Sequence, residues 1–203
     1  MDALTVGDFT RAEDPLALFG SWLGEARQTE PNDPEAMALA TADADGLPDI
    51  RMVLMKGFDA AGVTFYTNTL SAKGRELAAT PKAAALFHWK TLRRQIRIRG
   101  AVSGVTAAEA DAYFATRHPL SQVGAWASRQ SQPLADRRTL EDEAARLQAK
   151  FAGSPVPRPP HWTGYRIALG SIEFWADGAH RLHDRVLFTP RLEGGWDRQR
   201  LNP

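Results

Sequence analysis

Three cationic or titratable side chains recur at every second position near the end of the chain, at Arg181, His183 and Arg185. In an extended strand alternate side chains point to the same face, so these three would project together. A basic stripe around one histidine is typical of a site for an anionic ligand. The alternative is a solvated edge strand, because alternating charges also protect sheet edges from aggregation.

Basic and hydroxyl residues gather in three further places. Residues 51–56 read Arg-Met-Val-Leu-Met-Lys, with a cation at each end, and residues 66–68 read Tyr-Thr-Asn. Residues 71–73, Ser-Ala-Lys, would open a helix whose free backbone N–H groups favour an anion such as phosphate. Strict alternation would place Arg51 and Lys56 on opposite faces of one strand, where they would serve different groups. Ordinary surface charge is the alternative for each place.

The segment 113–131 is the richest in hydrogen-bond donors. It carries a phenol, a guanidinium, hydroxyls and an amide over a predicted helix end and loop, at Tyr113, Arg117, Ser121, Gln130 and Ser131. These are the donors that recognition of a phosphoester needs. The apolar side chains between them, Phe114, Val123 and Trp126, are expected in the core.

Several kinds of chemistry lack their motifs in this sequence. It contains no G-x-G-x-x-G after a strand, no G-x-x-x-x-G-K-[ST], no H-E-x-x-H and no G-x-S-x-G, which argues against standard phosphate loops and metallohydrolases. The five histidines are not flanked by carboxylates at ligand spacing, so no metal site is expected. The absence of cysteine excludes disulfides and thiolate chemistry and fits a reducing compartment.

Composition favours a soluble cytoplasmic protein. The 25 basic and 24 acidic residues give a net charge of +1, which lacks the electrostatic footprint of a nucleic-acid-binding protein. The chain begins Met-Asp without a basic and then apolar leader, and no stretch is long enough to span a bilayer, so no membrane contact is expected. With 203 residues, 43% of them hydrophobic, we expect one domain over residues 14–203 after a flexible arm at 1–13.

Hydrophobic periodicity predicts an antiparallel sheet decorated by helices. Strands are predicted at 36–44, 49–58, 63–68, 83–90, 93–105, 162–169, 171–176, 180–188 and 196–200. Helices are predicted to begin at Pro15, to run from Ser71 to about residue 80 and from 107 to about 117, and to begin again at Asp136. The strands are too many and their connections too short for a doubly wound parallel sheet, so the expected class is mainly β with α, an antiparallel barrel or closed sheet.

These blocks, in their order, resemble the pyridoxamine 5'-phosphate oxidase family. The resemblance runs from about residue 37 to 203 and includes R-M-V-L-M-K, Y-T-N, R-Q-I-R, Y-F-x-x-R-x-x-x-S-Q-x-G-A-W-x-S-x-Q-S, R-L-H-D-R and the closing R-L-N-P. It implies a homodimeric split barrel with FMN in the subunit interface. It also implies oxidation of pyridoxamine or pyridoxine 5'-phosphate by O2 to pyridoxal 5'-phosphate, with release of hydrogen peroxide and, from the amine, ammonia.

The resemblance also assigns site residues. It implies that FMN is held by Arg51, Met52, Val53, Leu54, Met55, Lys56, Tyr66, Thr67, Lys73, Gln95, Gln130, Ser131, Trp175 and Arg185. It implies that the substrate is bound by Lys56, Tyr113, Arg117, Ser121, Arg181, Leu182 and His183, with Arg181 and His183 at the reacting end as catalytic residues. The family commonly has a second basic residue just before the lysine of the 71–73 block, where this chain has Ala72, so we expect a weaker grip on the FMN phosphate.

Two other functions fit the same barrel. One is a non-catalytic carrier of a flavin or of pyridoxal phosphate, against which the pair Arg181 and His183 argues. The other is a split-barrel oxidase of another substrate, such as a phenazine precursor, which would not need Lys56, Tyr113 and Arg117 together with Ser121.

Overall fold

The sheet of the computed structural model, which describes residues 8–203, is antiparallel in every ladder. Its strands are β1 Ala36–Ala42, β2 Pro48–Leu54, β3 Gly57–Asp59, β4 Gly62–Asn68, β5 Lys82–Trp89, β6 Arg94–Gly104, β7 Trp162–Ile167, β8 Ser171–Ala176, β9 Asp184–Pro190 and β10 Trp196–Leu201. The helices are α1 Pro15–Thr29, α2 Ala72–Ala79, α3 Ala107–Thr116, α4 Pro119–Ala127 and α5 Arg137–Lys150. The predicted α+β class is therefore confirmed.

The long strand β6 joins two parts of the sheet. The main path runs β10-β9-β8-β6-β5-β1-β2, and a branch runs from β6 through β7 and β4 to β3. Residues 94–99 of β6 pair with β8, whereas residues 102–104 pair with β7. This exchange of partners along one strand curls the sheet into a half-barrel, in agreement with the predicted split barrel.

Helix α1 closes one side of the core for reasons visible in the sequence. Asp14 caps it by accepting the backbone N–H of Leu16 at 2.8 Å, and Pro15 occupies the first helical position. Phe19 and Trp22 are fully buried, at helical spacing, against the aromatic side chains of the sheet. The core is thus apolar, and the polar site must lie outside it.

Two predicted elements differ from the structure near the site. The predicted strand 49–58 is two strands, because the chain leaves the β1 ladder after Leu54 and begins a new pairing with β4 at Gly57. The predicted loop after Arg117 is the helix α4, which His118 caps and Pro119 opens.

The predicted strand 180–188 begins later than expected. Residues 180–183 are not extended: Ala179–Arg181 form a 3₁₀ turn, and β9 begins at Asp184. His180 and Arg181 both have left-handed backbone angles, with φ of 55° and 66°. The prediction that Arg181, His183 and Arg185 share one face of a strand is wrong, since the alternation of a strand does not continue through such a turn.

The predicted arm is partly folded. Residues 1–7 lie outside the described residues, but Phe9–Arg11 form a 3₁₀ turn in which Thr10 is buried, and the Phe9 ring packs edge-on against Trp22. Part of the predicted arm thus contacts the core. Between residues 8 and 203, none of the helices has the length and apolar composition needed to cross a bilayer.

Candidate active site

An open cavity of about 590 Å³ lies beside β2, β4, the start of α2 and the end of α3. The structure brings twelve of the predicted site residues to its wall: Arg51, Met52, Val53, Leu54, Lys56, Tyr66, Thr67, Lys73, Tyr113, Arg117, Gln130 and Ser131. Ser121 lines a smaller adjoining pocket of about 350 Å³ together with Arg117 and Gln130. Met55 is buried in the main core instead.

Arg51 and Lys56 line the same cavity although alternation predicted opposite faces. The reason is the break between β2 and β3, which removes Lys56 from the period of the strand. The two cations can therefore serve ligands in one cavity.

Lys73 is a buried ammonium surrounded by neutral oxygens. Its side chain is 7% exposed, and Nζ donates to Thr67 Oγ1 at 3.2 Å, Gln130 Oε1 at 3.2 Å and Ser71 Oγ at 3.4 Å. Burial, and then the charge of Arg51, lowers the pKa of Lys73. Ser71 caps α2 through the backbone N–H of Gly74 at 3.3 Å, so the positive end of the helix lies beside the ammonium. This combination suits a phosphate dianion.

Arg51, by contrast, already has anionic partners. Its Nη2 contacts Glu76 Oε2 at 3.0 Å and the carboxylate of Asp49, while Nη1 donates to the hydroxyl of Thr41. The hydrogen bond from Arg51 is the main cause that lowers the pKa of Asp49. The charge of Arg51 is therefore largely compensated, and that of Lys73 is not.

Arg117 lies between the cavity and the adjoining pocket, and no carboxylate of residues 8–203 forms an ion pair with it. Its guanidinium carbon lies 4.9 Å from the centroid of the Trp162 ring and 5.6 Å from that of Phe114. Within residues 8–203, Nη1 is buried and has no hydrogen-bond partner. Burial lowers the pKa of Arg117. A buried donor without a partner is costly, so the site favours an incoming anion.

Two tyrosines complete this wall of the cavity. The rings of Tyr66 and Tyr113 stack with centroids 4.1 Å apart and an interplanar angle of 21°. Burial is the main cause that raises the pKa of Tyr66, so its hydroxyl stays protonated at neutral pH. The Tyr66 phenol is therefore available as a hydrogen-bond donor.

The other predicted FMN residues form a second group, which we call the strand cluster: Gln95, Trp175 and Arg185. The register of β6, β8 and β9 pairs Gln95 with Trp175 and Trp175 with Arg185, so the three lie side by side. On the sheet, β8 is separated from the cavity strand β2 by β6, β5 and β1. None of the three residues lines the cavity or the adjoining pocket of its own protomer.

Arg185 is held rigidly in the strand cluster. Its Nε and Nη2 both donate to Oε1 of the buried Glu173, at 2.8 and 2.6 Å, and Nη1 donates to the carbonyl oxygen of Asn202 at 2.9 Å. The second carboxylate oxygen of Glu173 pairs with Arg97. The closing residues of the chain thus help to orient this guanidinium.

The turn at residues 177–183 presents the predicted catalytic residues. A Cβ on Gly178 would lie 2.0 Å from the carbonyl oxygen of Leu182, so the close return of the chain requires glycine there. His183 Nδ1 lies 3.1 Å from Asp177 Oδ1 and 3.1 Å from the backbone nitrogen of Gly178. The neutral ring accepts from Gly178, and the protonated ring donates to Asp177. The imidazole is thus oriented in either protonation state.

Sequence profiles of known families match most of the chain. A family described as pyridoxamine 5'-phosphate oxidase matches residues 23–151. A second, described as the pyridoxine 5'-phosphate oxidase C-terminal dimerisation region, matches residues 162–203. The chain belongs to the pyridoxamine 5'-phosphate oxidase family. The resemblance seen in the motifs is confirmed, and the second match supports the predicted homodimer.

Relatives and solved structures agree with the family. A pyridoxine/pyridoxamine 5'-phosphate oxidase of Nitrobacter winogradskyi is 63% identical over 201 residues, which cover 98% of this chain and 94% of the relative. One of Caulobacter vibrioides is 63% identical over 94% of this chain and 86% of the relative. The crystal structure of PhzG from Burkholderia lata, in complex with tetrahydrophenazine-1-carboxylic acid, superposes with a TM-score of 0.90 at 34% identity, covering 100% of this chain and 99% of that one.

A more distant structure supports the fold alone. An FMN-binding protein from Nostoc punctiforme, described as pyridoxamine 5'-phosphate oxidase-related, superposes with a TM-score of 0.76 at 15% identity, covering 95% of this chain and 100% of that one. At this identity the shared feature is the split barrel of the oxidase family.

Three residues of the candidate site were not predicted from the sequence. Trp162 lines both the cavity and the adjoining pocket, Asp49 lines the cavity, and Asp177 contacts His183. A tryptophan at the start of a strand is usually a core residue, and an isolated aspartate is usually a surface residue, so neither pattern indicates a site. Within residues 8–203 no three His, Asp or Glu side chains gather as a metal site.

Proposed function

We propose that the protein is an FMN-dependent oxidase that converts pyridoxamine 5'-phosphate and pyridoxine 5'-phosphate to pyridoxal 5'-phosphate in vitamin B6 metabolism. The observation that carries the proposal is a pair of cations withdrawn from solvent, Lys73 and Arg117, that line one cavity and have no carboxylate partner within the described residues. Two phosphorylated molecules, the cofactor and the substrate, would satisfy both.

The residues present fit FMN. Lys73 and the amino end of α2 offer a positive site for its phosphate, with Thr67, Gln130 and Ser131 as neighbouring polar groups. The apolar side chains of Met52, Val53 and Leu54 line the same cavity and suit a flat ring system. When bound, FMN would accept a hydride equivalent from the substrate and return the electrons to O2, which is reduced to hydrogen peroxide.

In this proposal the substrate phosphate is bound by Lys56, Tyr113, Arg117 and Ser121. Lys56 and Arg117 would make charge-assisted hydrogen bonds to the phosphate oxygens, and the hydroxyls would complete the set. These contacts would hold the phosphate end of the substrate, and the rigid pyridine ring would then set where its C4' carbon lies in the cavity. They therefore orient the reacting carbon without taking part in its oxidation.

A homodimer completes the site. The partner would supply the strand cluster and the turn at 177–183, since none of these residues lines the cavity or the adjoining pocket of its own protomer. An exposed apolar row on β2, formed by Ile50, Met52 and Leu54, is consistent with burial between subunits. Arg181 would then clamp the substrate at its reacting end, and His183 would hold or move a proton there.

One assay separates the proposal from its rivals. The purified FMN-loaded protein is given pyridoxamine 5'-phosphate or unphosphorylated pyridoxamine, and release of hydrogen peroxide is measured. We expect rapid release with the phosphorylated amine and little with the other. No release with either, while flavin is bound, would indicate a carrier.

The similarity to PhzG suggests a second candidate function, the oxidation of a reduced phenazine carboxylate. A reduced phenazine carboxylate carries no phosphate, so an oxidase of that substrate would not need the unpaired Arg117. Faster peroxide release with a reduced phenazine carboxylate than with pyridoxamine 5'-phosphate would favour this second function.

A further inference from the structure

Trp162 is a buried residue at the meeting point of the two pockets. It is the first residue of β7, its side chain is 6% exposed, and it lines both the cavity and the adjoining pocket. Its backbone is fixed on both sides, since its N–H donates to Pro159 O at 3.0 Å and its carbonyl accepts from Arg158 Nη1 at 2.7 Å. The ring is therefore a rigid part of the site.

The ring of Trp162 is packed against three aromatic neighbours. It stacks nearly parallel to Tyr66, with centroids 5.2 Å apart at 11°, and to Tyr113, at 6.1 Å and 10°. Phe114 meets it edge-on at 5.0 Å. These contacts fix the plane of the indole, and so fix where a cation can lie above it.

Arg117 is the cation above this ring, and its main contacts are with the faces of aromatic rings. Its guanidinium carbon lies 4.9 Å from the Trp162 centroid, and its side chain makes no hydrogen bond or ion pair with residues 8–203. An arginine on a flexible stem would normally lose rotamer freedom when it binds an anion. Stacking on a fixed indole removes part of that freedom in advance.

We infer that Trp162 is a positioning residue for phosphate recognition, which holds the guanidinium of Arg117 where a substrate phosphate monoester reaches it. The inference rests on the proposed function, since it takes that phosphate as the ligand of Arg117. Trp162 acts through Arg117 and contributes nothing to the oxidation itself. It should therefore affect the KM of phosphorylated substrates and leave kcat nearly unchanged.

A double-mutant cycle on the FMN-loaded enzyme tests the inference. The proteins are wild type, Trp162→Leu, Arg117→Met and the double variant, each assayed with pyridoxamine 5'-phosphate. We expect Trp162→Leu to raise KM about tenfold, with kcat within about twofold. In the Arg117→Met background the same change should raise KM by less than about twofold, because the cation that it positions is gone.

Equal effects of Trp162→Leu in both backgrounds would overturn the inference, because Trp162 would then act independently of Arg117. FMN content is measured in each protein. If the leucine variant does not retain flavin, Trp162→Phe replaces it in the cycle, since a smaller ring preserves packing and weakens the cation–π contact. We then expect a rise in KM of about threefold that disappears in the Arg117→Met background.

Failure of the proposed function gives a different result. A wild-type enzyme that oxidises neither phosphorylated vitamer, or does not discriminate against unphosphorylated pyridoxamine, contradicts the proposed function and the inference with it. A phosphate-selective wild type with an additive cycle contradicts the inference alone.

Discussion

The cavity and the strand cluster both carry arginines and other polar groups, but they differ in whether these groups contact carboxylates. In the cavity, Lys73 is hydrogen-bonded to neutral oxygens and Arg117 lies on ring faces. In the strand cluster and the adjoining turn, Arg185 is paired with Glu173, and His183 contacts Asp177. A cation without a carboxylate partner can bind the anionic group of a ligand. A cation or imidazole that contacts a carboxylate is instead held in a fixed orientation.

Arg51 is the exception within the cavity, because its charge is already paired with carboxylates. Its contacts with Glu76 and Asp49 compensate its charge before any ligand binds. With Ala72 before it, Lys73 is the cation in the first turn of α2 that lines the cavity. The grip on a cofactor phosphate should therefore depend mainly on Lys73.

The largest expected effect is on substrate binding through the phosphate. Lys56→Ala would remove the proposed charge-assisted hydrogen bond, so we expect a loss of about 1.5–3 kcal/mol, seen as a rise of about 10- to 150-fold in the KM of pyridoxamine 5'-phosphate. Steady-state kinetics measure this change. The matched control is Lys82→Ala, an exposed lysine at the start of β5, which should leave KM unaltered. An unchanged KM in Lys56→Ala would remove Lys56 from the substrate site.

The next effect tests whether the turn acts on the reaction. Arg181→Ala should lower kcat about tenfold, because a clamp at the reacting end is lost, while the amount of bound FMN stays the same. Arg138→Ala, on the exposed face of α5, is the control for removing an arginine. If Arg181→Ala is colourless but retains full activity for each bound flavin, the turn belongs to cofactor binding instead.

A pH titration sharpens the contrast between Lys73 and an ordinary lysine. In the proposed site the charged form of Lys73 would bind the FMN phosphate. Burial lowers the pKa of Lys73, so its charge is lost at a lower pH than that of an exposed lysine. The FMN affinity of the apoprotein should therefore fall as the pH rises toward that lowered pKa. Flavin fluorescence measures the affinity, and riboflavin, which has the same rings without the phosphate, is the control.

Lys73→Arg should keep FMN bound at the alkaline end of that titration, because the guanidinium stays charged. Equal loss of FMN and riboflavin with rising pH would show that the phosphate does not depend on the charge of Lys73.

The smallest expected effect is a gain. Ala72→Arg adds a cation next to Lys73 at the amino end of α2, and we expect FMN affinity to improve about two- to fivefold. The matched control is Ala78→Arg, the same change at an exposed position near the other end of this helix. Titration of the two apoproteins with FMN compares them, and an equal response would discard the idea that Ala72 weakens the site.

Much of the cavity could be predicted from the sequence because its residues lie on regular elements. Ser71 caps the start of α2, as the sequence predicted, and this places Lys73 beside the free N–H groups of the first turn. Alternation along β6 buries Ile96 and Ile98 and places Gln95 on the opposite face. Periodicity is informative wherever the chain keeps one period.

The turn at 177–183 could not be predicted in the same way. Two consecutive left-handed residues, His180 and Arg181, are disfavoured by their own side chains and are held by the close return of the chain at Gly178. The contacts of Trp162 with Arg117 also join residues far apart in sequence. Both features depend on tertiary packing, which local patterns do not encode.

The most direct measurement is anaerobic addition of pyridoxamine 5'-phosphate to the yellow, FMN-loaded protein, with unphosphorylated pyridoxamine as the parallel sample. An oxidase whose two unpaired cations receive two phosphates should lose its flavin absorbance with the phosphorylated amine and form one pyridoxal 5'-phosphate for each flavin reduced. Retention of the colour with the phosphorylated amine, or equal bleaching by both amines, would contradict this function.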